Sequence, residues 1–262
     1  MQMTGNTILI TGGSSGIGRA LAIAFHQLGN QVIVAGRRQA LMEEIVARNP
    51  RIHAAVVDVQ NLEGLPAFAD DIVRHYPNVN VLINNAGIMK PENLNDGPAQ
   101  EDVAGQTIAT NLLAPMRLTG LLLPHLKKQR HAAIMNVSSG LAFVPMATTP
   151  TYCATKAAVH SWTQSLRYQL RDTSVDVLEL VPPYVQTELM GTRQAQDPRA
   201  MPLDEFVAEV IDILRNHPEQ KEILVQRVHP LRYAAEQGRD KYDEFVRSFN
   251  DSMANPGSGS RH

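Results

Sequence analysis

Residues 7–18 read Thr7-Ile-Leu-Ile-Thr11-Gly-Gly-Ser-Ser-Gly-Ile-Gly18, and this stretch decides the fold because a glycine-rich turn directly follows a short apolar run. The run predicts a buried strand over Thr7–Thr11, and the residues after the turn predict a helix from Gly18. Small residues let the backbone approach a pyrophosphate, whose charge the free N–H groups at a helix start favour. Such turns also use glycine for steric reasons alone. The position after an N-terminal strand favours the phosphate site.

The spacing of these glycines distinguishes between two kinds of dinucleotide-binding turn. Gly12, Gly16 and Gly18 follow a Gly-x-x-x-Gly-x-Gly pattern. The pattern differs from the Gly-x-Gly-x-x-Gly of dehydrogenases that carry a separate substrate domain.

Short β-branched runs alternate with amphipathic segments along most of the 262 residues. The predicted strands are Thr7–Thr11, Gln31–Ala35, His53–Val57, Val81–Ile83, Ala132–Val137, Val175–Val181 and Glu222–Val225. The predicted intervening helices include Gly18–Leu28, Gln39–Arg48 and Leu62–His75. Strands that are apolar on both faces, joined by helical crossovers, indicate a doubly wound parallel α/β sheet. No linker divides residues 1–250, so we expect a single domain.

Two segments depart from this alternation. Residues 184–202 form a long segment without clear periodicity, which is typical of a functional loop such as a lid, although a plain surface excursion is the alternative. Near the C-terminus, Leu231–Phe249 predicts one extra helix, and residues 251–262 read as a disordered tail.

Bulk properties restrict the possible partners and the cellular location. The net charge of −2 argues against nucleic acid or an anionic membrane as the main partner. The single cysteine, Cys153, cannot form an internal disulfide, which fits a reducing compartment. No apolar run reaches the roughly 20 residues that span a bilayer, and no signal peptide is evident. We expect a soluble cytoplasmic protein.

The end of the second predicted strand indicates the cofactor. An acidic residue there would bind the ribose 2′-hydroxyl of NAD, but the chain reads Gly36-Arg37-Arg38. Guanidinium groups bind a phosphate bidentately, so the pattern favours the 2′-phosphate of NADP. The alternative is that both arginines are ordinary solvated residues at a helix start.

Tyr152 and Lys156 lie one helical turn apart, on one face of a predicted helix. A free tyrosine has a pKa near ~10 and is a poor base at neutral pH. A lysine charge nearby, aided by an oxidised nicotinamide, is expected to lower that pKa by ~3 units. The pair therefore suits a tyrosine acid/base in hydride-transfer chemistry, and a surface pair without chemistry is the alternative.

With these motifs placed, the chain over roughly residues 5–225 resembles the short-chain dehydrogenase/reductase family, whose fold is of the Rossmann type. Within that family it is similar to oxidoreductases of D-alanine esterification operons. The resemblance implies hydride transfer between NADP and a carbonyl or alcohol substrate. It implies a catalytic set at Asn111, Ser139, Tyr152 and Lys156.

The same resemblance assigns the cofactor contacts. The glycine-rich turn contributes Gly12, Ser14, Ser15, Gly16, Ile17 and Gly18, and the charged pair contributes Arg37 and Arg38. The remaining expected contacts are Asp58 and Val59 at the adenine, Asn85, Ala86 and Gly87 beside the central sheet, Tyr152 and Lys156 at the ribose, and Pro182 and Thr187 at the nicotinamide.

Roles within the catalytic set also follow from the resemblance. Ser139 would bond the substrate oxygen, and it is preferred to Ser138 only by its spacing to Tyr152. Asn111 would anchor a water that links Lys156 to solvent. One departure concerns Pro183, which stands where the family usually has glycine and puts substrate orientation in question.

The substrate itself is predicted only by class. Several large apolar residues suggest a pocket for a medium-sized ketone, aldehyde or alcohol: Met89, Leu141, Phe143, Met146 and Tyr184. The nine histidines show no metal-binding spacing, so we expect no metal. We also expect a homo-oligomer, either a dimer or a tetramer.

Two other functions remain to be weighed. A non-catalytic NADP sensor or scaffold would keep the cofactor fold, yet such proteins typically lose the tyrosine or the lysine. A hydrolase with Ser139 as nucleophile lacks the Gly-x-Ser-x-Gly turn.

Overall fold

The structure is a computed structural model that describes residues 1–97 and 102–254. Its strands are β1 (Thr7–Thr11), β2 (Gln31–Gly36), β3 (Ile52–Val56), β4 (Val79–Asn84), β5 (Ala132–Val137), β6 (Val175–Leu180) and β7 (Glu222–Ile223). They form one parallel sheet in the order β3-β2-β1-β4-β5-β6-β7. The predicted doubly wound parallel sheet is confirmed.

Helices cover both faces of the sheet. Those in the described ranges are α1 (Gly16–Gln27), α2 (Gln39–Arg48), α3 (Leu65–His75), α4 (Val103–Ile108), α5 (Ala114–Leu126), α6 (Pro150–Gln169), α7 (Thr192–Ala195), α8 (Leu203–Asn216), α9 (His229–Arg232) and α10 (Arg239–Ala254). A π-helical turn, Ala109–Leu113, joins α4 to α5. None of these helices is long and apolar enough to cross a membrane.

The period-two geometry of the strands explains why both faces are apolar. In β1, Ile8 and Ile10 pack into one core cluster with α1 and α8 residues, whereas Leu9 packs into a second cluster with α3 and α5 residues. All three side chains are fully buried. Successive side chains of a strand point to opposite faces, so a strand covered on both sides must be apolar throughout.

The chain reverses direction along the sheet between β1 and β4. From β1 the sheet runs to β2 and β3 on one side and to β4 through β7 on the other. Ligands in doubly wound sheets bind outside the carboxyl ends of the strands at such a switch point. The glycine-rich turn follows β1 at this position.

The C-terminal region corrects two predictions. The single helix expected over Leu231–Phe249 is wrong, because α9 ends at Arg232 and α10 begins only at Arg239. Gly238 between them has φ +99°, which a continuous helix does not allow. The tail boundary at residue 251 is also wrong, since α10 continues to Ala254; residues 255–262 lie outside the described residues.

Candidate functional site

A cleft of about 480 Å³ opens at the carboxyl ends of the central strands. It is lined by nearly all of the residues that the sequence singled out, from the glycine-rich turn to the segment after β6. The predicted site residues absent from its lining are Gly18 and Asn111. The structure thus brings predicted residues from seven separate segments to one place.

Gly12 and Asn85 hold the glycine-rich turn against the segment that follows β4. Gly12 has φ +67°, and a Cβ there would lie 2.8 Å from the Cα of Ala86. The Asn85 side chain donates to the carbonyl of Thr11 at 2.9 Å, while Thr11 Oγ1 accepts from the N–H groups of Asn85 and Ala86 at 3.1 Å. Only glycine permits this backbone approach, which leaves the turn open towards the cleft.

The two arginines after β2 occupy different positions. A terminal nitrogen of Arg38 donates to Ser14 Oγ at 2.9 Å and also bonds Ser15 Oγ. Arg37 lies farther out, 60% exposed, with Nη1 4.0 Å from an Asp58 carboxylate oxygen. A guanidinium and two hydroxyls therefore converge beside the turn, which is the donor set that a phosphate accepts. Arg38, rather than Arg37, is at its centre.

Helix α6 places the tyrosine and the lysine in the cleft. Its start is held by Glu92, which accepts from the backbone N–H of Thr151 at 3.1 Å and from its hydroxyl at 2.8 Å. Tyr152 and Lys156 then follow on one face, and both are buried. The Lys156 ammonium donates to the carbonyl of Val137 at 2.8 Å and lies 5.6 Å from the centre of the Tyr152 ring.

The serine pair is distinguished by its contacts. Ser138 Oγ donates to the carbonyl of Leu180 at 3.5 Å, across to β6. Ser139 Oγ accepts from the N–H of Leu141 at 3.2 Å and so caps the turn Gly140–Ala142. Both serines line the cleft, and the preference for Ser139 stays a prediction.

Burial controls the protonation of Tyr152 and Lys156. Desolvation raises the pKa of Tyr152 to about 12, opposed by the hydrogen bond from Ser139. Desolvation lowers the pKa of Lys156 to about 8, opposed by the charge of Glu179. The ammonium faces Val137, and the apolar surroundings of the phenol disfavour the phenolate. The lowering of the Tyr152 pKa by the lysine together with an oxidised nicotinamide stays a prediction.

Asn111 lies just behind the cleft, in the π-helical turn. Its side chain is engaged on both sides, since Oδ1 accepts from Ile88 N and Nδ2 donates to Ile88 O, each at 2.9 Å. It also donates to Thr155 Oγ1 at 3.2 Å. A Cβ on Gly87 would lie 3.5 Å from Asn111 Oδ1 and 3.8 Å from Lys156 Nζ, so both side chains border this glycine. Asn111 braces the wall of the site.

A cluster of His160 on α6, Glu179 on β6 and Glu222 on β7 was not predicted. His160 Nδ1 lies 2.9 and 3.1 Å from the two carboxylate oxygens of Glu179, whose side chain is fully buried. These groups and Glu222 include ligand atoms within 4.8 Å of one another, close enough to bind a metal ion. Arg232 already donates to both oxygens of Glu222, at 2.7 and 3.3 Å, and supplies the positive charge that a metal would bring.

The segment after β6 is more ordered than its sequence indicated. Val185 forms a parallel bridge with Met201, and the segment contains α7. Gln194, which sequence reasoning missed, is buried and donates to the carbonyl of Val185 at 2.8 Å and to Thr187 Oγ1 at 3.1 Å. A lone glutamine in an aperiodic segment carries no recognisable signal. Its contacts nevertheless fix Thr187 at the cleft.

Of the five apolar residues proposed for the substrate pocket, Met89 alone is part of the cleft lining. Tyr184 turns its hydroxyl to Asp197 Oδ2 at 3.2 Å, and Phe143 packs edge-on against His160. Met89 does line the cleft, and it joins Leu141 and Met146 in the cluster around Tyr152. The sequence alone does not show whether the Tyr184 ring faces an apolar ligand or its hydroxyl bonds a carboxylate of the same segment.

The chain is similar to known oxidoreductases over most of its length. Residues 6–198 match the family model of the short chain dehydrogenases. Over 253 residues it is 44% identical to the uncharacterized oxidoreductase DltE of Bacillus subtilis (strain 168), covering 95% of this chain and 98% of that protein. This likeness confirms the resemblance proposed from the sequence.

Solved structures share the fold. A short chain dehydrogenase/reductase from Burkholderia phymatum in complex with NAD superposes with a TM-score of 0.78 at 21% identity, covering 94% of this chain and 96% of that one. A short-chain dehydrogenase from Sphingobium yanoikuyae in complex with NADPH gives 0.76 at 24% identity, covering 98% of both chains.

Proposed function

The chain belongs to the short chain dehydrogenase family of oxidoreductases, and from that premise we propose that it is an NADP(H)-dependent reductase of a carbonyl substrate. The observation that carries this proposal is the convergence of Ser139, Tyr152 and Lys156 on one cleft with the glycine-rich turn. Hydride would pass between the nicotinamide and the carbonyl carbon, with the reverse reaction oxidising an alcohol.

The shape of the cleft supports a dinucleotide. Its turn presents backbone N–H groups at the start of α1, where negative charge is favoured, and a side chain at Gly12 would close the approach. Arg38 with Ser14 and Ser15 would bind the 2′-phosphate, with Arg37 and Asp58 at the outer edge. When bound, NADPH supplies a hydride from C4 of its nicotinamide ring.

Tyr152 would act as the proton donor in reduction. With a pKa of about 12 it is neutral at physiological pH, which is the form that donates a proton to a carbonyl oxygen. Ser139 would hold the same oxygen and stabilise charge as it develops. Oxidation of an alcohol needs the phenolate instead, so in that direction Tyr152 would first have to lose its proton.

Lys156 and Asn111 would support this transfer. A protonated Lys156 places a positive charge beside Tyr152 and would bond the nicotinamide ribose. Asn111 is a positioning residue, since it holds Ile88 and Thr155 rather than facing the cleft. We propose that Pro182 and Thr187 contact the nicotinamide and that Asp58 and Val59 contact the adenine. We also propose that the chain is a single NADP-binding domain and that it assembles as a cytoplasmic homo-oligomer.

The test is NADPH consumption with a panel of ketones and aldehydes, for the wild type and for Tyr152→Phe. We expect turnover by the wild type and loss of roughly 100-fold or more in the variant, because the proton donor is gone. Calorimetric titration should give nearly equal NADPH affinity for both. A Phe variant that keeps near wild-type turnover would assign the proton transfer to another group.

The second candidate is a non-catalytic NADP sensor, whose cofactor fold would be the same. Pro183 beside the nicotinamide region favours it slightly, because proline removes a backbone donor. In that case the panel would give no turnover while NADPH still binds. All four residues of the predicted catalytic set are present, which favours the enzyme.

A further inference from the structure

Helix α10 returns from the end of the described chain to the neighbourhood of Tyr152. A small cluster forms there around the buried residues Met146, Tyr152 and Cys153. Its partly buried members include Phe249 and Met253, both from α10. These two positions are one helical turn apart and therefore share a face.

Polar contacts fix the register of this helix. The Tyr242 hydroxyl donates to the carbonyl of Phe143 at 2.9 Å. Asn250 Oδ1 accepts from the N–H of Ala147 at 2.6 Å, and its Nδ2 donates to the carbonyl of Pro145 at 3.1 Å. Hydrogen bonds at two positions along α10 therefore hold the helix against the segment that follows Ser139. They fix which face of α10, with Phe249 and Met253, packs on the cluster.

The cluster continues into the cleft. Met89 belongs to both, since it packs against Tyr152 and its neighbours and also lines the cleft. Lys90 is next to it in the lining and donates to Gln106 Oε1 at 3.2 Å. Apolar groups, three of them flexible thioethers, therefore surround the proton donor on this side.

We infer that α10 forms the outer wall of the substrate site and that Phe249 and Met253 select an uncharged carbonyl compound with an apolar substituent. This assignment rests on the proposed reductase function and adds the class of substrate. Methionines adapt to irregular shapes, so the wall accepts aliphatic and aromatic substituents of differing shape. A carboxylate placed against Phe249 and Met253 would lose its hydration, and neither side chain would replace it.

The experiment measures kcat and KM for neutral aldehydes of increasing chain length and for one aldehyde of matched length that ends in a carboxylate. The proteins are the wild type, Phe249→Ala, Met253→Ala and, as a matched control, Arg247→Ala on the exposed side of α10. We expect both wall variants to raise KM roughly 10-fold for the longer aldehydes. The shortest aldehyde, the control variant and NADPH affinity should be little changed.

Several outcomes separate the wall from the reductase function itself. Equal effects of Phe249→Ala on short and long aldehydes, or a preference for the carboxylate-ended compound, would overturn the assignment. Phe249→Leu keeps the wall apolar with a smaller side chain and should give an intermediate KM if the alanine variant folds poorly. If the wild type turns over none of the compounds, the proposed reductase function is wrong, and the assignment of α10 is wrong with it.

Discussion

At the residue scale, Lys156 shows how burial sets the working pH range. Its ammonium is almost entirely removed from solvent and has a pKa of about 8, so it begins to lose its proton just above neutrality. The buried carboxylate of Glu179 opposes this loss. A buried acid within the sheet is costly unless it has a partner, and the imidazole of His160 is the hydrogen-bonding partner of Glu179.

We therefore expect carbonyl reduction to fall as the pH rises through about 8, because Lys156 must be protonated while Tyr152 stays neutral up to about 12. In Glu179→Gln the charge that raises the lysine pKa is gone, so this falling limb should move to lower pH. The measurement is kcat/KM against pH, with Glu44→Gln on the exposed face of α2 as control. A limb that stays in place would show that Glu179 does not act on Lys156.

The proposed preference for NADP also rests on single residues. We expect Arg38→Ala to weaken NADPH binding by about 1.5–3 kcal/mol, because a charge-assisted contact to the 2′-phosphate is lost. Arg37→Ala should weaken it less, since Arg37 is more exposed and faces Asp58. NADH affinity should hardly change in either variant. Calorimetric titration that finds equal NADPH and NADH affinity in the wild type would contradict NADP preference.

At the element scale, the sequence predicted most of the strands but not how the C-terminal helices α9 and α10 are divided and packed. Apolar runs with helices between them are local signals, and β5 begins and ends where the pattern predicts. The break at Gly238 was missed because the residues around it keep helical periodicity while the glycine alone adopts φ +99°. The contacts of Tyr242 and Asn250 span about a hundred residues of sequence, and no local pattern reports them.

The segment 184–202 consists of a fixed base and an exposed tip. Its base is fixed by the Val185–Met201 bridge and by Gln194, whereas its tip exposes Leu189 and Met190 and turns at Gly191 with φ +96°. A lid needs such a combination, because the tip can close only if the base holds its direction.

We predict that hydrogen exchange at the tip slows when NADPH and a substrate analogue bind, since closure over the site excludes water. Exchange at the base should be slow in both states. Mass-spectrometric exchange of the free and the ligated protein makes the comparison. A tip that is already protected without ligand, and is unchanged by it, would be a fixed wall.

At the scale of the whole molecule, the site is an assembly of distant segments. Sequence motifs located the turn, the arginines, Ser139, Tyr152 and Lys156, because each has a short signature. They did not indicate Gln194, Glu179 or Phe249, because the hydrogen bonds, the charge and the packing through which these residues act have no short sequence signature. The raised pKa of Tyr152 was not indicated either, since it depends on the apolar residues that the fold gathers around the ring.

The measurement that tests the central claim most directly is the fate of deuterium from NADPH labelled at C4. The protein is supplied with a neutral aldehyde and with cofactor labelled on either face of the nicotinamide ring, and the alcohol is analysed by mass spectrometry. Direct hydride transfer predicts one deuterium in the alcohol from one of the two labelled cofactors, and labelled alcohol formed roughly 100-fold or more slowly by Tyr152→Phe. Alcohol that forms without deuterium from either cofactor, or labelled alcohol at the same rate from the Phe variant, would contradict the account.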